Sequence, residues 1–116
     1  MENEKKVPRV YISQENPTAN YDGAKEYGEL FFITNKEFSP NTNSLQNEVL
    51  IAEVDDRIVN FDPFVDTLVL GGSPITMGYV FHLAIEKAKR CKSPKLSFLM
   101  WNSRDKVYRQ MDFVVK

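Results

Sequence analysis

Cysteine and histidine are nearly missing from this 116-residue chain, which holds one of each, Cys91 and His82. A lone cysteine excludes an internal disulfide, and a cytoplasmic location is expected on that ground. The pair also excludes zinc sites of the finger, ribbon or tri-histidine kind, so no metal is expected. No apolar run approaches the roughly 20 residues that span a bilayer, so no membrane role is expected. The charged start, Met1-Glu2-Asn3-Glu4-Lys5-Lys6, offers no secretion signal. There is no Gly-x-Gly-x-x-Gly fingerprint and no Lys-Ser/Thr behind a glycine loop, so no dinucleotide or other cofactor is expected.

What remains is an ordinary globular composition, 42% hydrophobic and 27% charged, which argues against a disordered chain. It predicts a flexible segment over residues 1–8 and one domain over 9–116. The net charge of −1 hides a polarity, since residues 1–80 carry −7 and residues 81–116 carry +6. Such polarity suits an anion site at the basic end or pairing between subunits, and a homodimer is expected. It equally follows from charges placed where helix ends favour them. A long nucleic acid is not an expected partner of so acidic a first two-thirds.

Hydrophobic periodicity predicts five strands and three helices. Arg9–Ser13 reads as a first strand, Tyr21–Tyr27 as a short helix closed by a left-handed Gly28, and Leu30–Thr34 as a second strand buried on both faces. Ser44 is a good N-cap for a helix to about Asn60, with Ile51, Val54, Ile58 and Phe61 as its buried stripe. Asp66–Leu70 reads as a third strand. Ile75 to about Arg90 reads as a helix with Met77, Val80, Phe81, Ala84, Ile85 and Ala88 on its apolar side. Lys95–Trp101 and Val107–Val115 read as a closing hairpin about the turn Asn102-Ser103-Arg104-Asp105. Strands alternating with helices predict a single three-layer, Rossmann-like α/β domain. Its five-stranded sheet would be mainly parallel, ordered 2-1-3-4-5, with the C-terminal β-hairpin at one edge.

The sharpest local signal is Gly71-Gly72-Ser73-Pro74 between a buried strand and a helix. The glycines permit a tight turn and close approach of a ligand, Ser73 caps the helix, and Pro74 suits its first turn. A helix start of this kind attracts anions, although any well-made strand-to-helix turn needs the same residues. In open α/β sheets ligands lie beyond the carboxyl ends of the strands. Those ends supply a candidate ligand-binding set: Gln14, Asn35, Gly71, Gly72, Ser73, Trp101, Asn102 and Arg104. Trp101 would stack on a base and Arg104 would neutralise a phosphate, which favours a phosphorylated or nucleotide-like ligand. The bland alternative makes Trp101 a core-edge residue and Arg104 a solvated turn residue.

No catalytic residue is assigned. His82 lies mid-helix, away from the strand ends, with Glu86 as its neighbour one turn on. Cys91 stands at a helix C-terminus, where the dipole opposes a thiolate. Asp55-Asp56 and Asp62 with Asp66 read as solvated or capping carboxylates.

Tyr27-Gly28-Glu29-Leu30, Gly72-Ser73-Pro74 and Met100-Trp101 together resemble a group of small uncharacterised proteins encoded by bacteriophages and related bacterial elements. The resemblance covers most of residues 9–115 and brings no settled activity. It implies host-directed roles, such as sequestering a nucleotide signal used in host defence or binding a host protein. The leading expectation is therefore a non-enzymatic binder of a small phosphorylated or nucleotide-like ligand. The alternatives are a protein-interaction module, an inhibitor of a host protein acting through the acidic helix Ser44–Asn60, and a small nucleotide-processing enzyme.

Overall fold

The computed structural model describes residues 7–41 and 43–115. Of the expected flexible segment 1–8, only Val7 and Pro8 lie within the described residues. One sheet contains β1 Arg9–Ile12, β2 Glu29–Phe32, β3 Thr67–Val69, β4 Lys95–Asn102 and β5 Val107–Val114. A 3-10 helix, Asp22–Tyr27, and two α-helices, α1 Leu45–Arg57 and α2 Pro74–Arg90, complete the described elements. The strand order is β2-β1-β3-β4-β5, as expected.

The mainly parallel, three-layer Rossmann-like arrangement does not form. The sheet is mixed: β4 and β5 pair antiparallel over eight residue pairs. The parallel ladders β1–β2, β1–β3 and β3–β4 contribute four, three and one. Both α-helices pack on a single face. There Tyr11, Leu68, Leu96 and Phe98 of the strands meet Leu50 and Val54 of α1, Ile58 just beyond it, and Val80 and Ala84 of α2. The side chains between them, Val10, Ile12, Val69, Leu99 and Tyr108, point to the opposite face, as strand alternation demands. That face receives Ala24 of the 3-10 helix, with Tyr21 and Tyr27 packed beside it, and no α-helix among the described residues. The reason is local. The segment carries Asn16-Pro17 and Asp22-Gly23, which are poor helix formers. A Cβ on Gly23 would already touch the Tyr108 ring at 3.4 Å.

Capping sets the helix starts. The Ser44 hydroxyl accepts from the Gln46 amide at 3.1 Å, as its N-cap role requires. The buried stripe of α1 is Leu50 and Val54, continued at a spacing of four by Ile58 just past the helix end, and the expected Ile51 is turned outward. On α2 the buried side chains are Thr76, Val80, Ala84 and Ala88, while Phe81 is exposed at the helix edge. The expectation for the second strand also fails, because β2 is an edge strand and none of its residues is fully buried. Gly28 has φ 156° and ψ −179°, which is not the αL conformation of a closing cap but is a positive-φ conformation that favours glycine. Glycine is needed there because a Cβ would lie 2.6 Å from the Pro8 carbonyl oxygen. The Glu29 amide donates to that same oxygen at 3.0 Å.

Asp66 ties the entry of β3 to β1. Its carboxylate accepts from the Arg9 amide at 2.9 Å and from the Asp62 amide at 2.8 Å. No helix among the described residues is long and apolar enough to cross a membrane.

Candidate functional site

β1 lies between β2 and β3, so chain direction across the sheet reverses between β1 and β3, where open α/β sheets hold ligands. Gln14, Gly71, Gly72 and Ser73 do meet at that point, but they close it. The Ser13 hydroxyl donates to the Gly71 carbonyl at 2.6 Å and accepts from the Gly71 amide at 2.8 Å. The Ser73 amide donates to Gln14 Oε1 at 2.9 Å. The Thr76 amide donates to Ser73 Oγ at 3.4 Å, and Pro74 has no amide hydrogen to offer. Gly72 has φ 93°, and a Cβ there would lie 2.4 Å from Gln14. The glycine signal therefore reports close approach of the protein's own glutamine. Gln14, itself buried, occupies the position an anion would take at the start of α2.

The second opening arises from unequal strand lengths. β3 and β4 share one register pair, Leu68 with Phe98, and β4 continues to Asn102 with only β5 beside it. Beyond Leu68 the two strands part, and an apolar cleft of about 460 Å³ lies between them. Val69 and Leu70 form one wall and Leu99, Met100 and Trp101 the other, with Phe81, Phe98, Tyr108 and Phe113 around them. Phe98 holds two neighbours in place, with ring centroids 5.7 Å from Phe81 and 5.2 Å from Phe113. Trp101 packs edge-on against Tyr108 at 5.1 Å and remains 49% exposed. Burial pushes the Tyr108 hydroxyl pKa up, and Tyr21 adds to the effect. The volume falls within the roughly 300–1,000 Å³ usual for small-molecule sites, and the aromatic lining is also usual there.

Of the eight expected residues only Trp101 lines this cleft. Asn102 is spent on the hairpin turn, its side-chain oxygen accepting from the amides of Arg104 at 3.0 Å and Asp105 at 3.1 Å. Arg104 projects exposed from that turn. Asn35 sits in a separate polar cavity of about 150 Å³ with Glu15, Thr34, Glu53 and Arg57. There the Thr34 hydroxyl donates to Glu53 at 2.6 Å and Lys36 approaches it at 3.6 Å, which hold the Glu53 carboxyl below the usual range. A larger concavity, about 790 Å³, lies at the opposite, amino end of the strands beside Arg9, Glu29 and Asp62.

Leu70, Phe81, Phe98, Met100, Tyr108 and Phe113 were not among the expected site residues. The signal that could have found them is the predicted length of the last two strands beside a shorter third. His82 and Cys91 are exposed on or just after α2. Asp55 accepts a hydrogen bond from the Tyr79 hydroxyl at 2.5 Å.

A family model described as Phage Pam3 gp32-like protein matches residues 8–115. No curated protein and no solved structure matches significantly. The match takes in nearly the whole chain, including the motifs that resemble bacteriophage proteins. The chain belongs to the Phage Pam3 gp32-like family.

Proposed function

We propose that this phage-family chain is a non-catalytic binding protein that takes the flat, ring-bearing part of a small molecule into the cleft between β3 and β4. The observation that carries the reading is the early end of the β3–β4 ladder, which leaves a ready-made apolar space of about 460 Å³ beside Trp101. A nucleobase is one ring of suitable shape, stacking on the exposed indole. A phosphate on such a ligand would meet the cationic hairpin turn at Arg104 and Lys106 rather than the start of α2, where Gln14 stands in its way. A phage protein of this kind would act by sequestering a host nucleotide signal. It needs no general base to do so.

Melting temperature against a panel of mono-, di- and cyclic nucleotides, nucleosides and inorganic phosphate tests the reading. Ligand at about a hundred times its dissociation constant adds roughly 2.7 kcal/mol. For a domain of this size that is a rise on the order of 10 °C. The shift is expected from ring-bearing compounds, is lost in Trp101→Ala, and leaves the compound chemically unchanged. A flat panel at millimolar ligand, or conversion of the compound, would overturn the proposal.

A second reading, as an inhibitor of a host protein, draws on α1. That helix leaves Leu45 and Val49 exposed beside Glu48 and Asp56, an apolar strip with an acidic border. Asp56→Lys would then abolish capture of the host protein without changing ligand-induced melting shifts.

A further inference from the structure

The two edges of the sheet are protected unequally. β2 is four residues long. β5 runs for eight residues, and among the described residues only β4 pairs with it, while the Tyr27 hydroxyl donates to the Tyr108 carbonyl at 3.1 Å near its start. Proteins blunt such edges with free charge, proline, bulges or short strands. β5 contains no proline, and both its charges are already engaged within the chain. Arg109 pairs with Asp105 at 3.0 Å and Asp112 with Lys95 at 3.2 Å. Meanwhile Met111 is 42% and Phe113 48% exposed, and Val114 more so. From this edge we propose that a second copy of this chain adds to β5, forming a twofold dimer with one continuous ten-stranded sheet.

Strand geometry restricts how two copies can meet. Phe113 and its odd-numbered neighbours point to the helical face, and Tyr108 and the even-numbered ones to the other. A twofold axis normal to the sheet keeps the helices of both copies on one side, so each residue must oppose one of its own parity. The axis then passes beside a single residue and its copy. Centring on Arg109 or on Asp112 would place like charges directly opposite, which is destabilising. Centres at Gln110 and Met111 avoid this and pair seven of the eight strand residues.

The chemistry favours Met111. In that register Met111 opposes Met111, Arg109 opposes Phe113, Gln110 opposes Asp112 and Tyr108 opposes Val114. These are an apolar pair, a cation over a ring, an amide donor to a carboxylate, and an aromatic against a β-branched residue. Centring on Gln110 would instead set Arg109 against Met111 and Tyr108 against Asp112. Asp112 lies diagonal to its own copy in the Met111 register, with its charge offset by Lys95.

Light scattering across a wide concentration range tests for the dimer, and symmetric cross-linking tests the register. Opposed strand residues have Cα atoms about 4.5–5.5 Å apart, within the range a disulfide accepts. In a Cys91→Ser background, Met111→Cys is expected to oxidise to a covalent dimer well before Gln110→Cys does. Met111→Lys, at an exposed side chain, is expected to halve the observed mass while its circular dichroism and melting temperature stay near wild type. A monomer mass at every concentration would overturn the dimer. Faster cross-linking at Gln110 would overturn the register, and a dimer that cross-links at neither position would overturn β5 as the interface.

Discussion

The carboxyl ends of β1 and β3 and the carboxyl end of β4 share one sheet but have opposite characters. At the first, hydrogen-bonding groups are plentiful and spent on one another. Ser13 and Gly71 exchange bonds, and Gln14 takes the Ser73 amide. At the second, polar groups are few and apolar side chains stand open, because β4 outruns β3. A binding motif is therefore judged by whether its donors and acceptors are still available. By that measure the glycine turn is a lock and the hairpin side is the vacancy.

Substitutions can break this contrast from either side. The largest effect is expected from Gly72→Ala. It drives a Cβ into Gln14 at a position with φ 93°, and overpacking with backbone strain should cost about 3 kcal/mol. Chemical denaturation measures it. A double-mutant cycle with Gln14→Gly should return part of the loss, because the Cβ, Cδ and Oε1 atoms that the new methyl meets are then all gone. If both losses simply add, Gln14 is not what the glycine accommodates.

Gln14→Ala alone should cost about 1–2 kcal/mol, the usual penalty for leaving a part-buried amide without its acceptor. It should also convert the lock into a weak anion site. Phosphate is expected to raise the melting temperature of this variant and not that of the wild type. Equal responses would show that the glutamine does not guard the helix start.

Trp101→Ala should cost about 2 kcal/mol, since half of the indole is buried and the other half already faces water. The ligand-induced melting shift should also disappear. A large stability loss with the ligand response intact would make Trp101 a core residue, as its bland reading has it.

The smallest effect is alkaline. Tyr79 donates to Asp55, which pushes its pKa from 10.0 up to about 12, with burial adding to the rise. The folded state thus prefers the neutral phenol. The stability from this contact is complete below pH 10 and is lost as pH rises through about 12. Stability followed over that interval should fall less steeply in Tyr79→Phe than in wild type.

Much of the fold was legible because it is written in local signals. Ser44 and Ser73 cap where caps were expected, the strands fall within a residue or two, and the strand order follows. The layer count was not legible. The segment between β1 and β2 has a helix-like spacing, but Pro17, Gly23 and the Tyr108 ring above it allow only a 3-10 turn. Ile51 and Leu50 are equally apolar neighbours on α1, and only the final helix rotation decides which is buried. At the candidate site, Trp101 was found because its ring chemistry is visible in the letters. The role of Gln14 was not, since nothing in the sequence says that a strand-end glutamine turns back onto a serine amide. The cleft itself depends on a difference in strand lengths, which periodicity fixes only to within a residue or two.

The unequal ladders also set an order in time. β4 and β5 are joined by residues 103–106, whereas β1 and β3 are separated by residues 13–66. A hairpin of this kind closes in about 1–10 μs, while parallel pairing waits for its crossovers to be organised. The chain should therefore display the β3-facing edge of β4 before β3 is in place to flank it. Refolding at low and high chain concentration, followed by stopped-flow, would then show yield falling with concentration. A yield independent of concentration would mean that the hairpin is not exposed ahead of its neighbours.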